Sequence, residues 1–337
     1  AKQFWQFFDQ VLLDTDSSDA LVRDFALGGC FARLPDVQSL YANVFPKTKG
    51  DLGETLWAAT LFIYLGTGGP EMSTYQNLAQ QSPLPGIVDS ACSEDVRLES
   101  LYEDGKKLRR VYDYLKDLAQ KHGHSKLFGG DGTFIKMRFD SSQGQGLLER
   151  MHRSVLEFIL KLDRSKKQSS NDSNEEHRLE MLSKHRASDI RSHFESYKGW
   201  GDLGMKELWC YCAPAYSAFD CNQPPWGTGG IKGLELVLGK CPKAKINEKV
   251  KDFIKARGVD NSAYAAAMDK LTRAYDGRVD LPRFSQMRSE PCALDLEVCF
   301  CWFKAWLRAC FQKKSGGMPK PPQSWEFFQR SVWPGAC

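Results

Sequence analysis

Apolar positions along this chain recur mostly at intervals of three and four, the spacing of one helical face. Residues 3–13 (QFWQFFDQVLL) read as a first helix, and Asp16 or Ser17 can cap a second one ending near Gly28. Pro35 suits the first turn of a third over 36–45. Residues 51–65 are apolar nearly all round, which predicts a buried central helix. The breaker Gly66-Thr67-Gly68-Gly69-Pro70 stops it, and a short helix over 71–80 follows. The longest helical pattern is 94–121, with Leu98, Leu101, Leu108, Val111, Leu115 and Leu118 on one face and interleaved charge on the other.

Residues 133–139 (TFIKMRF) alternate apolar and basic between glycine-rich flanks, the pattern of a strand and one half of a small hairpin. Residues 147–162 form an amphipathic helix and 177–197 a polar one. A helix over 203–219 is bent or ended by Pro214. The glycines and prolines of 221–233 (CNQPPWGTGGIKG) predict a loop. Helices are expected over 247–256, 261–275 and 324–333, and a buried one, apolar on most sides, over 294–311. The fold class is therefore mainly α, with at most a small β-hairpin near 133–139. The stretch 164–176 (RSKKQSSNDSNEE) has no apolar anchor and reads as an exposed loop. It divides a helical subdomain, 1–163, from a cysteine- and tryptophan-rich helical subdomain, 177–337.

Composition adds a class of environment. The chain has 337 residues and eleven cysteines. Cys30 and Cys92 stand alone in the first part. Cys210, Cys212, Cys221, Cys241, Cys292, Cys299, Cys301 and Cys310 crowd the last 128 residues and are the candidates for structural disulfides, as expected in an oxidising compartment. An odd total leaves one thiol over, assigned to Cys337. A zinc site is not expected: the close pairs are C-x-C, and no histidine follows His193. On a helix starting by Cys292, the side chains of Cys292, Cys299 and Cys310 fall on one face and Cys301 nearly opposite. His177, His185 and His193 are spaced by eight, so on one continuous helix they do not converge. The glycine runs at Gly66, Gly129 and Gly227 match no phosphate-binding motif and read as turns. Nothing in the sequence marks a catalytic group or a cofactor site, so a non-catalytic protein without cofactor or metal is expected. The apolar run Leu56 to Leu65 is too short to span a bilayer.

Two segments resemble a known family. Trp200 to Cys212 (WGDLGMKELWCYC) and, later, Trp302 to Lys314 (WFKAWLRACFQKK) look like two helices of the Duffy-binding-like adhesion domains and related cysteine-rich helical surface antigens of malaria-type blood parasites. The shared features are a tryptophan-containing helix ending in cysteine, then a helix with two tryptophans four apart, a cysteine and a basic run. Cys212 and Cys310 stand off the family's usual offsets, so the resemblance is local. It implies a helical, disulfide-bonded binding domain.

Net charge is only +4, but it is uneven. Residues 1–70 carry five basic and eight acidic groups; residues 240–257 carry seven basic and two acidic. Lys240, Lys243, Lys245, Lys249, Lys313 and Lys314 are the candidate binding residues, because lysines outside the apolar stripes should reach solvent. The expected function is an extracellular or cell-surface adhesion domain meeting a host or cell-surface protein or an anionic glycan. The alternative is a helical nucleic-acid-binding protein, such as a viral nucleoprotein, with reduced cysteines.

Overall fold

The structure is a computed structural model and describes residues 1–13, 51–66, 113, 126–128, 137–138, 142–164, 174–213, 216–258 and 291–314. In chain order these form α1 (Lys2–Leu13), α2 (Leu52–Gly66), β1 (Lys126–Phe128), β2 (Met137–Arg138), α3 (Ser142–Asp163), α4 (Asn174–Lys184), α5 (Ala187–Glu195), α6 (Asp202–Cys212), α7 (Thr228–Leu238), a 3₁₀ turn (Lys243–Lys245), α8 (Ile246–Ala256) and α9 (Ala293–Lys314). The described part is mostly helical, as the periodicity predicts. β1 and β2 pair antiparallel, and Met137–Arg138 falls inside the expected strand. The helices expected over 16–28, 36–45, 71–80, 94–121, 261–275 and 324–333 lie wholly or almost wholly outside the described residues. No described helix is long and apolar enough to cross a membrane.

The chain resolves into two compact units, one of residues 1–38 with 209–337 and one of residues 39–208. The division falls within α6, and the polar stretch 164–176 lies inside the second unit, with α4 starting at Asn174.

In the second unit α2 is buried, as expected of a helix apolar all round: Leu52, Leu56, Trp57 and Ile63 are all inaccessible. Its two threonines at 55 and 60 satisfy their hydroxyls on the carbonyls of Asp51 and Leu56, four residues back. Asp51 accepts the Glu54 amide at 3.0 Å, and Glu175 of α4 accepts the Leu52 amide at 2.8 Å. Two carboxylates thus serve the amides that a helix N-terminus leaves open. α3 buries Leu148, Met151, Val155, Phe158, Ile159 and Leu162, an i, i+3, i+4 pattern.

The expected helix 177–197 is two helices, broken at His185 and Arg186. The break changes the histidine geometry: the rings of His185 and His193 both lie against Phe158, at 6.1 and 5.1 Å between centroids. The non-convergence expected of one continuous helix therefore fails for this pair, since a bend at the joint resets the angular count. His193 Nε2 donates to the Ser154 carbonyl at 2.8 Å, and Trp200 Nε1 donates to Ser154 Oγ at 2.8 Å.

In the first unit the core is aromatic. Phe4, Phe7 and Phe8 of α1 are buried at i, i+3 and i+4 against Phe253, Phe300, Phe303 and Trp226. Phe4 stacks on Phe300 at 4.3 Å, and Trp5 on Phe253 at 4.8 Å. Trp306 packs at the edge of this cluster against Phe7 and Phe303.

Of the loop expected over 221–233, residues 221–227 are loop, but 228–233 are the first turns of α7, which makes the most extensive contact with α9 of any described helix pair. Glycine here is not a turn signal but a requirement of close approach. A Cβ on Gly233 would stand 1.8 Å from the Phe300 carbonyl oxygen, and one on Gly230 would stand 2.6 Å from Glu297 Oε1. Gly227, Gly230 and Gly233 recur every three residues and put their bare faces against α9.

Candidate functional site

The lysine candidates gather where α7 turns into α8. α7 ends at Gly239, whose φ of 73° lies in the left-handed region, so the chain leaves the helix abruptly. Its amide still donates to the Glu235 carbonyl at 3.0 Å. The following residues carry Lys240, Lys243 and Lys245, all exposed, the last two on the 3₁₀ turn. α8 then returns to the core because Ile246, Val250 and Phe253 face inward at spacings of four and three. Trp226 Nε1 donates to Asn247 Oδ1 at 2.5 Å, tying the first turn of α8 to the segment before α7.

Lys249 departs from expectation. Its ammonium donates to the carbonyls of Leu238 at 2.6 Å and Gly239 at 3.3 Å. Those are the terminal carbonyls of α7, where a cation complements the helix dipole and fills open acceptors. Lys249 therefore holds the α7–α8 corner rather than simply reaching into solvent. Lys313 and Lys314 end α9, and their side chains lie outside the described residues.

The far end of α8 is anchored by another cation. The Arg257 guanidinium lies over the Trp5 ring at 4.6 Å and the Phe8 ring at 5.3 Å, and Nη2 donates to Asp9 Oδ1 at 2.5 Å. With Lys249 at one end and Arg257 at the other, the helix carrying the basic run is fixed at both termini. Its outer face also exposes Lys251 and Lys255 beside Glu248 and Asp252. On α7, Lys232 and Leu236 stand four residues apart and exposed, Leu236 at 60%. These extra surface groups were not among the candidates, because the expected loop over 221–233 hid the i, i+4 spacing of Lys232 and Leu236 on α7.

Every described cysteine is a thiol, none in a disulfide: Cys210, Cys212, Cys221, Cys241, Cys292, Cys299 and Cys301. Cys292 is the residue before α9, so only Cys299 and Cys301 of the described cysteines lie on that helix. Cys299 sits in the aromatic core, and Cys301 faces Gly229, its sulfur 2.5 Å from where a Cβ would be. Burial pushes the Cys212 thiol well above the ordinary cysteine range, with neighbouring Cys210 a lesser cause. The side chain of Cys310 lies outside the described residues, as do Cys30, Cys92 and Cys337. Among the described residues no group of three histidine, cysteine or carboxylate side chains is arranged to hold a metal ion.

Comparison with protein-family models, with curated proteins and with solved structures finds no match to this chain.

Proposed function

We propose that this chain is a non-catalytic, extracellular or cell-surface binding domain, and that it meets an anionic partner, a sulfated or sialylated glycan or an acidic protein face, through Lys240, Lys243 and Lys245. The observation that carries the reading is the corner between α7 and α8. Three lysines are exposed on one short connection, and Lys249 and Trp226 pin the helix that follows it. A pinned cationic surface loses little conformational freedom on binding, and its field speeds encounter with an anion. Oxidation among the candidate cysteines, Cys210, Cys212, Cys221, Cys241, Cys292, Cys299, Cys301 and Cys310, would brace such a domain outside the cell. The local likeness of 200–212 and 302–314 to parasite adhesion helices supports the same class.

The second reading is a nucleic-acid-binding protein of a reducing compartment, in which the cysteines stay thiols; no two described cysteines stand at disulfide distance. The two are separated by retention of the intact protein on heparin and on single-stranded RNA at matched ionic strength, with free thiols counted after denaturation without reductant. Preferential retention on heparin with few free thiols supports the adhesion reading. Preferential retention on RNA with all eleven thiols free supports the alternative.

A further inference from the structure

The segment after α6 meets the start of α9 backbone to backbone. The Leu294 amide donates to the Cys221 carbonyl at 2.9 Å. That contact brings two sulfurs together: the side chains of Cys221 and Cys292 are in hydrogen-bonding contact. Cys292 Sγ also donates to Asp295 Oδ2 at 3.2 Å, and the same oxygen accepts the Cys292 amide at 2.9 Å. Asp295 therefore fixes Cys292 just outside the first turn of α9, with its thiol held beside Cys221. Cys292 is buried and Cys221 half-buried.

We propose that Cys221 and Cys292 are a disulfide-forming pair, oxidised by exchange with a small-molecule disulfide, and that their bond staples the segment preceding α7 to the start of α9. Burial is the main cause that holds the Cys292 thiol above its ordinary range, with Cys221 and Asp295 adding to it. The half-buried Cys221 is thus the sulfur an incoming reagent meets first. As a thiolate it attacks one sulfur of the reagent; the reagent's S–S bond breaks, one small thiolate leaves and takes a proton from water, and a mixed disulfide forms. Cys292 then attacks the Cys221 sulfur, its proton relayed through Asp295 Oδ2 to the departing thiolate. The second small thiolate leaves with the electron pair of the mixed bond and is protonated in turn. Two protein thiols are oxidised and one small disulfide is reduced to two thiols.

The pairing rests on the proposed oxidising compartment for its natural oxidant, but the chemistry is independent of any ligand. The test uses the full chain, reduced, desalted, incubated with oxidised glutathione, alkylated and mapped without reduction. The expected result is a Cys221–Cys292 bridge as the dominant linkage. In Cys292→Ser, Cys221 accumulates as the glutathione mixed disulfide; in Cys221→Ser, Cys292 remains a thiol. A wild-type protein in which Cys221 pairs elsewhere, or stays glutathionylated with Cys292 present, overturns the proposal. Should either serine variant fail to fold by circular dichroism, the wild-type map alone decides. A missing bridge leaves the lysine surface to its own binding test, and loss of that surface leaves the bridge standing.

Discussion

The side chain of Glu297 caps a helix whose N-cap residue lies 70 positions before it, its Oε1 accepting the Gly227 amide at 3.1 Å. Glu297 is 1% exposed, and its carboxyl group sits at the positive end of α7. Removing the acceptor strands a buried amide and opens a void. Glu297→Ala should therefore destabilise the first unit by about 2 kcal/mol. Glu297→Gln, which keeps a carbonyl acceptor, should cost less. Urea unfolding followed by tryptophan fluorescence gives both values; equal costs would mean that the carboxylate itself, not the carbonyl acceptor or the packing, accounts for the residue.

The same interface predicts an intolerance of one methyl group. Gly233→Ala places a Cβ 1.8 Å from the Phe300 carbonyl, which is backbone and cannot swing aside. The expected cost is about 3 kcal/mol. Gly239→Ala meets nothing within 4 Å but must hold φ at 73°, so its cost should be about 1 kcal/mol. Thermal unfolding of the two variants should rank them in that order.

These glycines mark where sequence reasoning stops. α8 was legible because Ile246, Val250 and Phe253 already declare one apolar face. α2 was legible because its apolar residues run all round. α7 was not, because Gly227, Gly229 and Gly230 look locally like a turn; their need for close approach appears only when α9 lies against them. The break at His185 carries neither glycine nor proline, so nothing in the pattern announced it. Of the candidate site, Lys240, Lys243 and Lys245 were readable from charge and position. The role of Lys249 depends on where α7 ends in space, which no local spacing encodes.

A pH dependence follows from the second unit. Burial raises the Glu175 carboxyl to about 7, with the Leu52 amide opposing the shift and Asp51 adding to it. Asp163 also raises it, while Arg178, bound bidentate to Asp163, lowers it. The folded state thus holds this proton more tightly than the unfolded chain. Its contribution is complete below the ordinary glutamate range and is lost as pH rises through about 7. Because the group is only partly buried, the loss should be about 1–2 kcal/mol. Glu175→Gln should remove that decline between pH 5 and 8 while keeping an acceptor for Leu52. Parallel stability curves for the two proteins across that range would contradict the assignment.

Arg257 supplies a further check on the anchoring of α8. Arg257→Ala loses both the ion pair to Asp9 and the stacking over Trp5 and Phe8, at an expected cost of about 2 kcal/mol. Arg257→Lys should recover only part, since an ammonium lacks the planar fork. Full recovery by lysine in chemical denaturation would reduce the contact to charge alone.

The central claim, an anionic partner held by the α7–α8 corner, is tested most directly by heparin affinity of the triple variant Lys240→Glu, Lys243→Glu, Lys245→Glu, with Lys249 left intact to preserve the corner. The account predicts unchanged circular dichroism and melting temperature, binding at low salt weakened about tenfold or more, and a flatter dependence of affinity on salt. A variant that folds normally and binds heparin at low salt as tightly as the wild type would contradict it.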